Sequence, residues 1–142
     1  MGRGLNGAHK CYEMAVAYDS LYDYLSEVER QEISNLIVEN GIRPLLDVWI
    51  HGRTRTTAID SMGHNWWSAC VFLPGTAALA VEREQECVRP WLKRIAKATA
   101  EWALYPGSVL NNKPRSFDRE GGFYESVGYA NYAMLNFLMF RY

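Results

Sequence analysis

The spacing of apolar and polar residues predicts helices along most of the chain. Over about residues 8–25, apolar side chains recur at intervals of three and four, which places them on one face of a first helix. Ser26 and Glu29 then form the pattern of a capping box, so a second helix is expected to begin there and to end near Asn40-Gly41. Because almost no linker joins them, the two helices are predicted to pack as an antiparallel hairpin.

The longest nearly uncharged run, residues 63–81, predicts a helix that is buried on most sides. Its first half combines polar groups with large rings, and its second half is small and apolar. A membrane span is disfavoured, because Pro74-Gly75 stands in the middle of the run and no basic flank anchors its start. A buried helix with a kink at Pro74 is therefore predicted, and capping is the simplest explanation for His64 and Asn65 at its entrance.

Shorter helical segments are predicted on either side of this run. Residues 42–50 are expected to extend the second helix across a kink, since Pro44 is tolerated in the first turn of a helix. A helix that begins near Val88 is expected to stop at Tyr105-Pro106-Gly107. After a tight turn at Gly121-Gly122, a last helix is predicted to continue to the end of the chain. Its predicted core stripe consists of Val127, Ala130, Ala133, Met134, Phe137 and Leu138.

Two polar segments interrupt the helices. Residues 51–57 form a short basic loop, in which Arg53 and Arg55 suit either a solvated turn or anion contact at the mouth of a cleft. Residues 108–120 form a longer polar loop, a length that is uncommon in compact domains unless it serves a site. No strand or fixed-period repeat is legible. The predicted fold is therefore all-α, with stacked antiparallel helical hairpins in one domain over residues 1–142, as a bundle or an incomplete (α/α) toroid.

Composition narrows the possible functions only slightly. With 142 residues the chain is long enough for one domain with a real core, and its net charge of −1 gives no electrostatic footprint for nucleic acid. The nine Tyr and five Trp suit either core packing or platforms for sugars and partners. Cys11, Cys70 and Cys87 lack metal or redox spacing and are expected to be buried thiols. The first residues do not form a secretory signal.

The candidate chemistry is a set of polar groups at two segments. No nucleophile elbow, phosphate loop, dinucleotide fingerprint or paired-histidine zinc motif occurs, so neither metal nor cofactor is expected. Glu125 and Tyr129 are four residues apart and share a helix face, as do Tyr129 and Tyr132. On pattern alone, these tyrosines are typical of core or half-buried helix positions. The remaining candidate site consists of His64, Asn65, Tyr124, Glu125 and Tyr129.

Three segments, taken in order, resemble the heparinase II/III-like polysaccharide lyases. They are Gly-His-Asn-Trp-Trp at 63–67 with the small-residue helix after it, residues 120–132 (Glu-Gly-Gly-Phe-Tyr-Glu-Ser-Val-Gly-Tyr-Ala-Asn-Tyr), and the earlier helix at 15–22. The resemblance covers most of the chain. It implies an incomplete α/α toroid, with this chain a piece of a larger enzyme that continues into β-sheet domains. The whole enzyme would be periplasmic or secreted.

The activity implied by this resemblance is β-elimination on a uronic acid in an acidic polysaccharide, glycosaminoglycan-like or alginate-like. Asn65 matches the family's carboxylate-neutralising position, and His64 beside it would share that role or act as a base. Tyr129 matches the catalytic tyrosine, which protonates the leaving oxygen and, in some members' mechanism, also takes the C5 proton. These lyases also use a further His or Tyr from later in the chain, which this sequence does not supply.

The resemblance also suggests residues that bind the sugar. Tyr124 and Glu125 are expected to support the catalytic groups, and Arg53 or Arg55 to supply positive charge. Trp66 and Trp67 are candidates for stacking on sugar faces, with at least one of them expected in the core.

Two other functions remain open. One is a glycoside hydrolase of the α/α-toroid type, for which Asp60 and Glu125 are the only plausible carboxylate pair. The other is a non-catalytic helical piece that binds carbohydrate or a protein partner. Neither nucleic acid nor a membrane is an expected partner. Association of copies through exposed apolar helix faces is predicted.

Overall fold

The described part of the chain is all-α, as predicted. The computed structural model describes residues 2–52, 62–107 and 115–141. Within these ranges the helices are α1 (Leu5–Leu21), α2 (Glu27–Ile37), α3 (Arg43–Trp49), α4 (Asn65–Ala80), α5 (Arg89–Ala103) and α6 (Val127–Arg141). The same ranges contain no strand beyond an isolated antiparallel bridge between Phe117 and Phe123.

Helix α4 is the centre of the fold. It packs against α1, α3, α5 and α6, and most of its residues are buried, as its uncharged sequence predicted. Pro74 lies inside the helix without ending it, although proline supplies no N–H to the carbonyl four residues earlier. Among the described helices, none is long and apolar enough to cross a membrane.

An aromatic cluster joins α4 to α5 and α6. The Trp67 ring stacks on Trp102 with centroids 6.3 Å apart, and Phe72 meets Trp102 edge-on at 5.3 Å. Phe72 also lies 5.5 Å from Phe137 and 5.8 Å from Phe140, both on α6. Offset and edge-on contacts of this kind are the favoured arrangements of aromatic rings. The high aromatic content of the chain is thus used largely for core packing.

The predicted capping box at the start of α2 is confirmed. Ser26 Oγ accepts a hydrogen bond from the Glu29 backbone N–H at 3.3 Å, and the Ser26 N–H donates to the Glu29 carboxylate at 2.8 Å. The first helix, however, ends at Leu21 rather than near residue 25, and a 3₁₀ turn over Tyr22–Tyr24 fills the gap before Ser26.

Loss of this cap gives a modest stability prediction. Ser26→Ala removes the side-chain acceptor from the first turn of α2, so the free energy of unfolding is expected to fall by about 1 kcal/mol. Chemical denaturation followed by circular dichroism would measure it. Ser20→Ala is the matched control, since that hydroxyl donates only to a carbonyl of its own helix. Equal stability of the two variants would contradict the capping role.

The predicted end of the second helix at Asn40-Gly41 is wrong. The chain passes from α2 through a wider π-helical turn, Val38–Ile42, directly into α3, where Pro44 lies in the first turn. The predicted extension over residues 42–50 is therefore present. Val38, Gly41 and Ile42 are buried, and this packing holds the backbone helical through a pair of residues that usually ends a helix.

The core face of α6 also differs from the predicted stripe. Val127, Met134 and Leu138 are exposed, whereas Ala133 and Asn136 are buried. The buried face is displaced around the helix, because α6 packs on α4 through positions such as Phe137 and Phe140. The remaining stripe positions, Ala130 and Phe137, are half-buried.

The cysteines follow the prediction in two of three cases. Cys11 and Cys70 are free and buried, and burial raises the pKa of each thiol to about 12, so neither is a ready nucleophile. Cys87 is exposed, contrary to the expectation, because it lies in a short 3₁₀ turn (Glu86–Val88) whose only buried residue is Val88.

A polar cluster ties α1 to the turn after α4. Glu84 accepts hydrogen bonds from the hydroxyls of Tyr18 at 2.6 Å and Tyr22 at 2.7 Å, and the Arg30 guanidinium lies 4.0 Å from the centre of the Tyr22 ring. Desolvation raises the pKa of Glu84, but the two phenol hydrogen bonds, a backbone hydrogen bond and the nearby Arg30 charge together outweigh it, and the pKa lies below its ordinary value of 4.5.

This cluster predicts an acid-sensitive contribution to stability. A carboxyl group whose pKa is depressed in the folded state stabilises fully above the unfolded-state value and loses this contribution as pH falls through the folded-state value. Wild-type protein is therefore expected to lose more unfolding free energy than Glu84→Gln on acidification from neutral pH to below 4.5. Urea unfolding at several pH values measures the difference. Parallel curves for the two proteins would contradict the prediction.

Candidate functional site

The candidate site is an open groove of about 390 Å³ between the start of α4, the start of α6 and the first turn of α1. Asn65 and Tyr129 both line it, so the amide and the phenol on which the sequence interpretation depends lie at one groove. The volume is in the range of small-ligand sites. The lining residues are Leu5, Asn65, Trp66, Ser126, Gly128, Tyr129 and Tyr132.

Hydrogen bonds at the entrance of α4 distinguish His64 from Asn65. His64 is the N-cap, with its Nδ1 accepting a hydrogen bond from the Trp66 N–H at 3.1 Å. Asn65 is the first residue of the helix, only 4% exposed, and it is Asn65 rather than His64 that lines the groove. The capping interpretation therefore holds for His64, while the Asn65 side chain makes a different contact.

The Asn65 contact is with the Glu125 carboxylate. Glu125 Oε2 accepts from the Asn65 side-chain Nδ2 at 2.6 Å and from the Asn65 backbone N–H at 2.8 Å. Its other oxygen, Oε1, lies 3.4 Å from His64 Nε2. Because His64 Nδ1 accepts a hydrogen bond, the ring proton belongs on Nε2, facing the carboxylate. A negative charge at a helix N-terminus is also favoured by the backbone dipoles.

A tight turn brings Glu125 to this position. Asp118 Oδ1 accepts from the N–H groups of Glu120 at 2.9 Å and Gly122 at 2.7 Å, and Gly121 has a φ of 86°, as the predicted turn at Gly121-Gly122 requires. A Cβ atom on Gly122 would lie 2.7 Å from an Asp118 carboxylate oxygen. The chain then passes Phe123, which is buried in the core, before it reaches Glu125.

Glu125 is therefore expected to stabilise the fold. Glu125→Ala leaves the Asn65 amide without its acceptor, so the free energy of unfolding is expected to fall by about 1–3 kcal/mol. Thermal unfolding at neutral pH would measure it. Glu120→Ala removes an exposed carboxylate from the same segment and serves as the control. A Glu125→Ala variant as stable as this control would show that the contact contributes nothing.

The aromatic candidates separate into two groups. Trp66 (43% exposed) and Tyr129 (50% exposed) line the groove and present accessible ring surface to it. Trp67 is completely buried against Trp102, so its assignment as a sugar platform is wrong and it is the core member of the pair. Tyr124 is exposed outside the groove lining.

Some predicted site residues fall outside the described part of the chain. Arg53, Arg55 and Asp60 all lie in residues 53–61, which the structure does not describe. Within residues 2–52, 62–107 and 115–141, no three His, Cys, Asp or Glu side chains are grouped closely enough to hold a metal ion.

The sequence interpretation missed one polar contact at the groove. His9 Nε2 lies 2.9 Å from the hydroxyl of Tyr132, although the two residues are 123 positions apart. No local spacing in the sequence relates His9 to Tyr132. Only the packing of α1 and α6 on the same central helix, α4, brings the imidazole and the phenol together.

Three comparisons with known proteins were negative. No family model, no curated protein and no solved structure matches the chain. The groove geometry and the sequence segments that form it are therefore the basis for assigning a function.

Proposed function

We propose that this chain is part of a heparinase II/III-like polysaccharide lyase that cleaves a uronic-acid-containing polysaccharide by β-elimination. The observation that supports the proposal is that Asn65, Trp66 and Tyr129 line one groove. These residues come from two of the three segments that resemble the lyases. A neutral hydrogen-bond donor suits the charge that develops during elimination from a uronate, and a phenol beside it suits proton transfer.

The reaction removes the C5 proton beside the substrate carboxylate, breaks the C4–O4 bond and forms a C4=C5 double bond. Asn65 is suited to stabilise the negative charge that develops on the carboxylate. One hydrogen of its Nδ2 is donated to Glu125, but an amide NH₂ group has two, so the second is free to serve the substrate. In the proposal, Tyr129 donates its hydroxyl proton to the departing O4.

The charge that lies nearest the Asn65 amide at this end of α4 is the Glu125 carboxylate. The Glu125 carboxylate would repel a uronate if it were uncompensated. It receives two hydrogen bonds from Asn65 and faces His64, and its side chain is only 17% exposed. His64 also contacts Trp66 edge-on, with centroids 6.0 Å apart, which holds the exposed indole beside the groove.

The proposal includes the larger context that the resemblance implies. The helices are assigned to an incomplete α/α toroid, and the missing helix pairs and β-sheet domains would supply the remaining walls of this open groove. The whole enzyme would then be periplasmic or secreted. Exposed apolar residues such as Leu135 and Val127 on α6 agree with the predicted association with further copies or domains.

The test is an assay for unsaturated uronate. The protein is incubated separately with alginate, hyaluronan and heparan sulfate, in both the 142-residue form and a form that includes any adjoining domains. Ultraviolet absorbance of the C4=C5 bond is followed, and new reducing ends are counted. We expect one double bond for each new reducing end. New reducing ends without double bonds would indicate hydrolysis and would overturn the lyase proposal.

A second candidate is sugar binding without turnover. Two observations favour it: Asn65 is almost completely buried, and its amide already donates a hydrogen bond to Glu125. A donor that is already bonded is less available to stabilise negative charge that develops on a substrate. Binding of alginate or heparan sulfate oligosaccharides, measured by calorimetry, with no double bonds formed in the assay above, would support this function. Trp66→Ala should then weaken binding.

A further inference from the structure

The groove contains a second phenol that is paired with an imidazole. Tyr132 lines the groove one helical turn after Tyr129, and its hydroxyl lies 2.9 Å from His9 Nε2. The two rings are tilted by 39°, with centroids 6.1 Å apart, so they meet through their polar edges rather than by stacking. Both side chains are half-buried, which leaves the pair sheltered but reachable from the groove.

The surroundings of Tyr132 favour its neutral form. Burial raises the pKa of Tyr132, the neighbouring Asn136 side chain acts in the opposite direction, and the nearby Cys70 thiol raises it further. A phenol in this state does not act as a base by first losing its proton to water. It requires an acceptor for its own proton at the moment it takes another, and the His9 imidazole is at hydrogen-bond distance for that role.

We infer that Tyr132 and His9 together form the base of the proposed elimination. Tyr132 touches the substrate and takes the C5 proton, while His9 takes the hydroxyl proton of Tyr132. This inference rests on the proposed function. Tyr129 keeps the role of acid, so the groove has one phenol for each proton transfer. The two phenols lie on neighbouring positions of one helix face, three residues apart, which is the spacing that places both side chains at the same opening.

Protons and electrons balance in this step without a co-reactant. The C5 proton moves to the Tyr132 oxygen while the Tyr132 proton moves to His9 Nε2. The C5–H electron pair forms the C4=C5 bond, and the C4–O4 pair leaves with O4, which takes the Tyr129 proton. His9 is then an imidazolium and Tyr129 a phenolate, and a net proton transfer through solvent restores both.

The inference predicts a specific pH dependence. His9 accepts the Tyr132 proton only when its Nε2 carries no proton, so the kcat/KM of the wild-type protein should depend on pH in a way that the His9→Gln variant does not share. The Cys70 thiol on α4 is a titratable group near Tyr132, and Tyr129 lines the same groove.

The test compares four variants in the unsaturated-uronate assay with alginate, hyaluronan and heparan sulfate. Tyr132→Phe and His9→Gln are each expected to lower kcat/KM by about 10²–10⁴-fold, and His9→Gln should also change the pH dependence of kcat/KM. Tyr24→Phe and His51→Gln change an exposed phenol and an exposed imidazole outside the groove, and they should retain wild-type rates. Circular dichroism melting verifies that each variant is folded.

The outcomes separate the two proposals. If wild-type protein forms no unsaturated uronate, the lyase function fails and the base assignment fails with it. If wild-type protein is active and Tyr129→Phe is not, while Tyr132→Phe and His9→Gln keep their rates and pH profiles, only the base assignment is overturned. Tyr132→Phe removes a single oxygen atom, so a folded variant is expected even if His9→Gln is unstable.

Discussion

Tyr129→Phe is expected to lower kcat/KM for formation of unsaturated uronate by about 10²–10⁴-fold, the usual contribution of a positioned proton donor. The change removes one hydroxyl from a half-exposed side chain, so thermal unfolding should be unaffected. Because proton donation to O4 is needed only as the C4–O4 bond breaks, the loss should appear in kcat, with KM nearly unchanged. Steady-state kinetics on whichever of alginate, hyaluronan and heparan sulfate is cleaved would measure it.

Tyr24→Phe is the matched control for this experiment. Tyr24 is 86% exposed in the turn before α2, and it should behave as wild type. Full turnover by Tyr129→Phe would remove the Tyr129 hydroxyl from the mechanism. An equal loss in both phenylalanine variants would point to a general effect of the substitution rather than to chemistry in the groove.

Trp67→Ala is expected to lower the free energy of unfolding by about 3–5 kcal/mol, the largest stability effect among the changes considered. Trp67 is fully buried, stacks on Trp102 and meets Phe72 edge-on at 5.6 Å, so truncation would leave a large cavity beside α4. This is a large fraction of the stability of an ordinary domain. Chemical denaturation followed by circular dichroism would measure the change.

The adjacent tryptophan provides the control. Trp66→Ala removes a ring of similar size that is 43% exposed, so its cost in stability should be much smaller, while binding of uronate oligosaccharides should weaken. Trp67→Phe should recover much of the loss seen in Trp67→Ala. Within the described residues no acceptor contacts the Trp67 indole N–H, so the ring volume rather than a hydrogen bond is expected to carry the effect. Equal destabilisation by both alanine variants would contradict this division.

The features predictable from the sequence depend on chemistry between near neighbours. The capping box at Ser26 is one example, because the serine and Glu29 satisfy each other's polar groups within one turn. The turn at Gly121-Gly122 is another, since it uses the backbone freedom of glycine. The burial of α4 was evident because an uncharged run of this length is unfavourable in water.

The features that were not predictable depend on packing between distant elements. The chain remains helical through Asn40-Gly41 because the residues on either side are buried, which no local signal reveals. The face of α6 was misjudged because its sequence is apolar on several sides, so only contact with α4 selects the buried one.

The candidate site divides in the same way. The resemblance to the lyases placed Asn65 and Tyr129 together, and both do line one groove. It did not reveal that Asn65 is held by Glu125, 60 residues away, or that Tyr132 is paired with His9. Hydrogen bonds across such separations leave no spacing pattern in the chain, so periodicity could not have found them.

The position of α4 between α1 and α6 has a consequence for biosynthesis. His9 and Tyr132 meet across 123 residues, so the walls of the groove are translated at widely separated times. Until α6 has been synthesised, the face of α4 that packs on α6 stays exposed to solvent beside the earlier helices. Contacts of such long range slow folding, and the waiting intermediate is the species most exposed to aggregation and most in need of a chaperone.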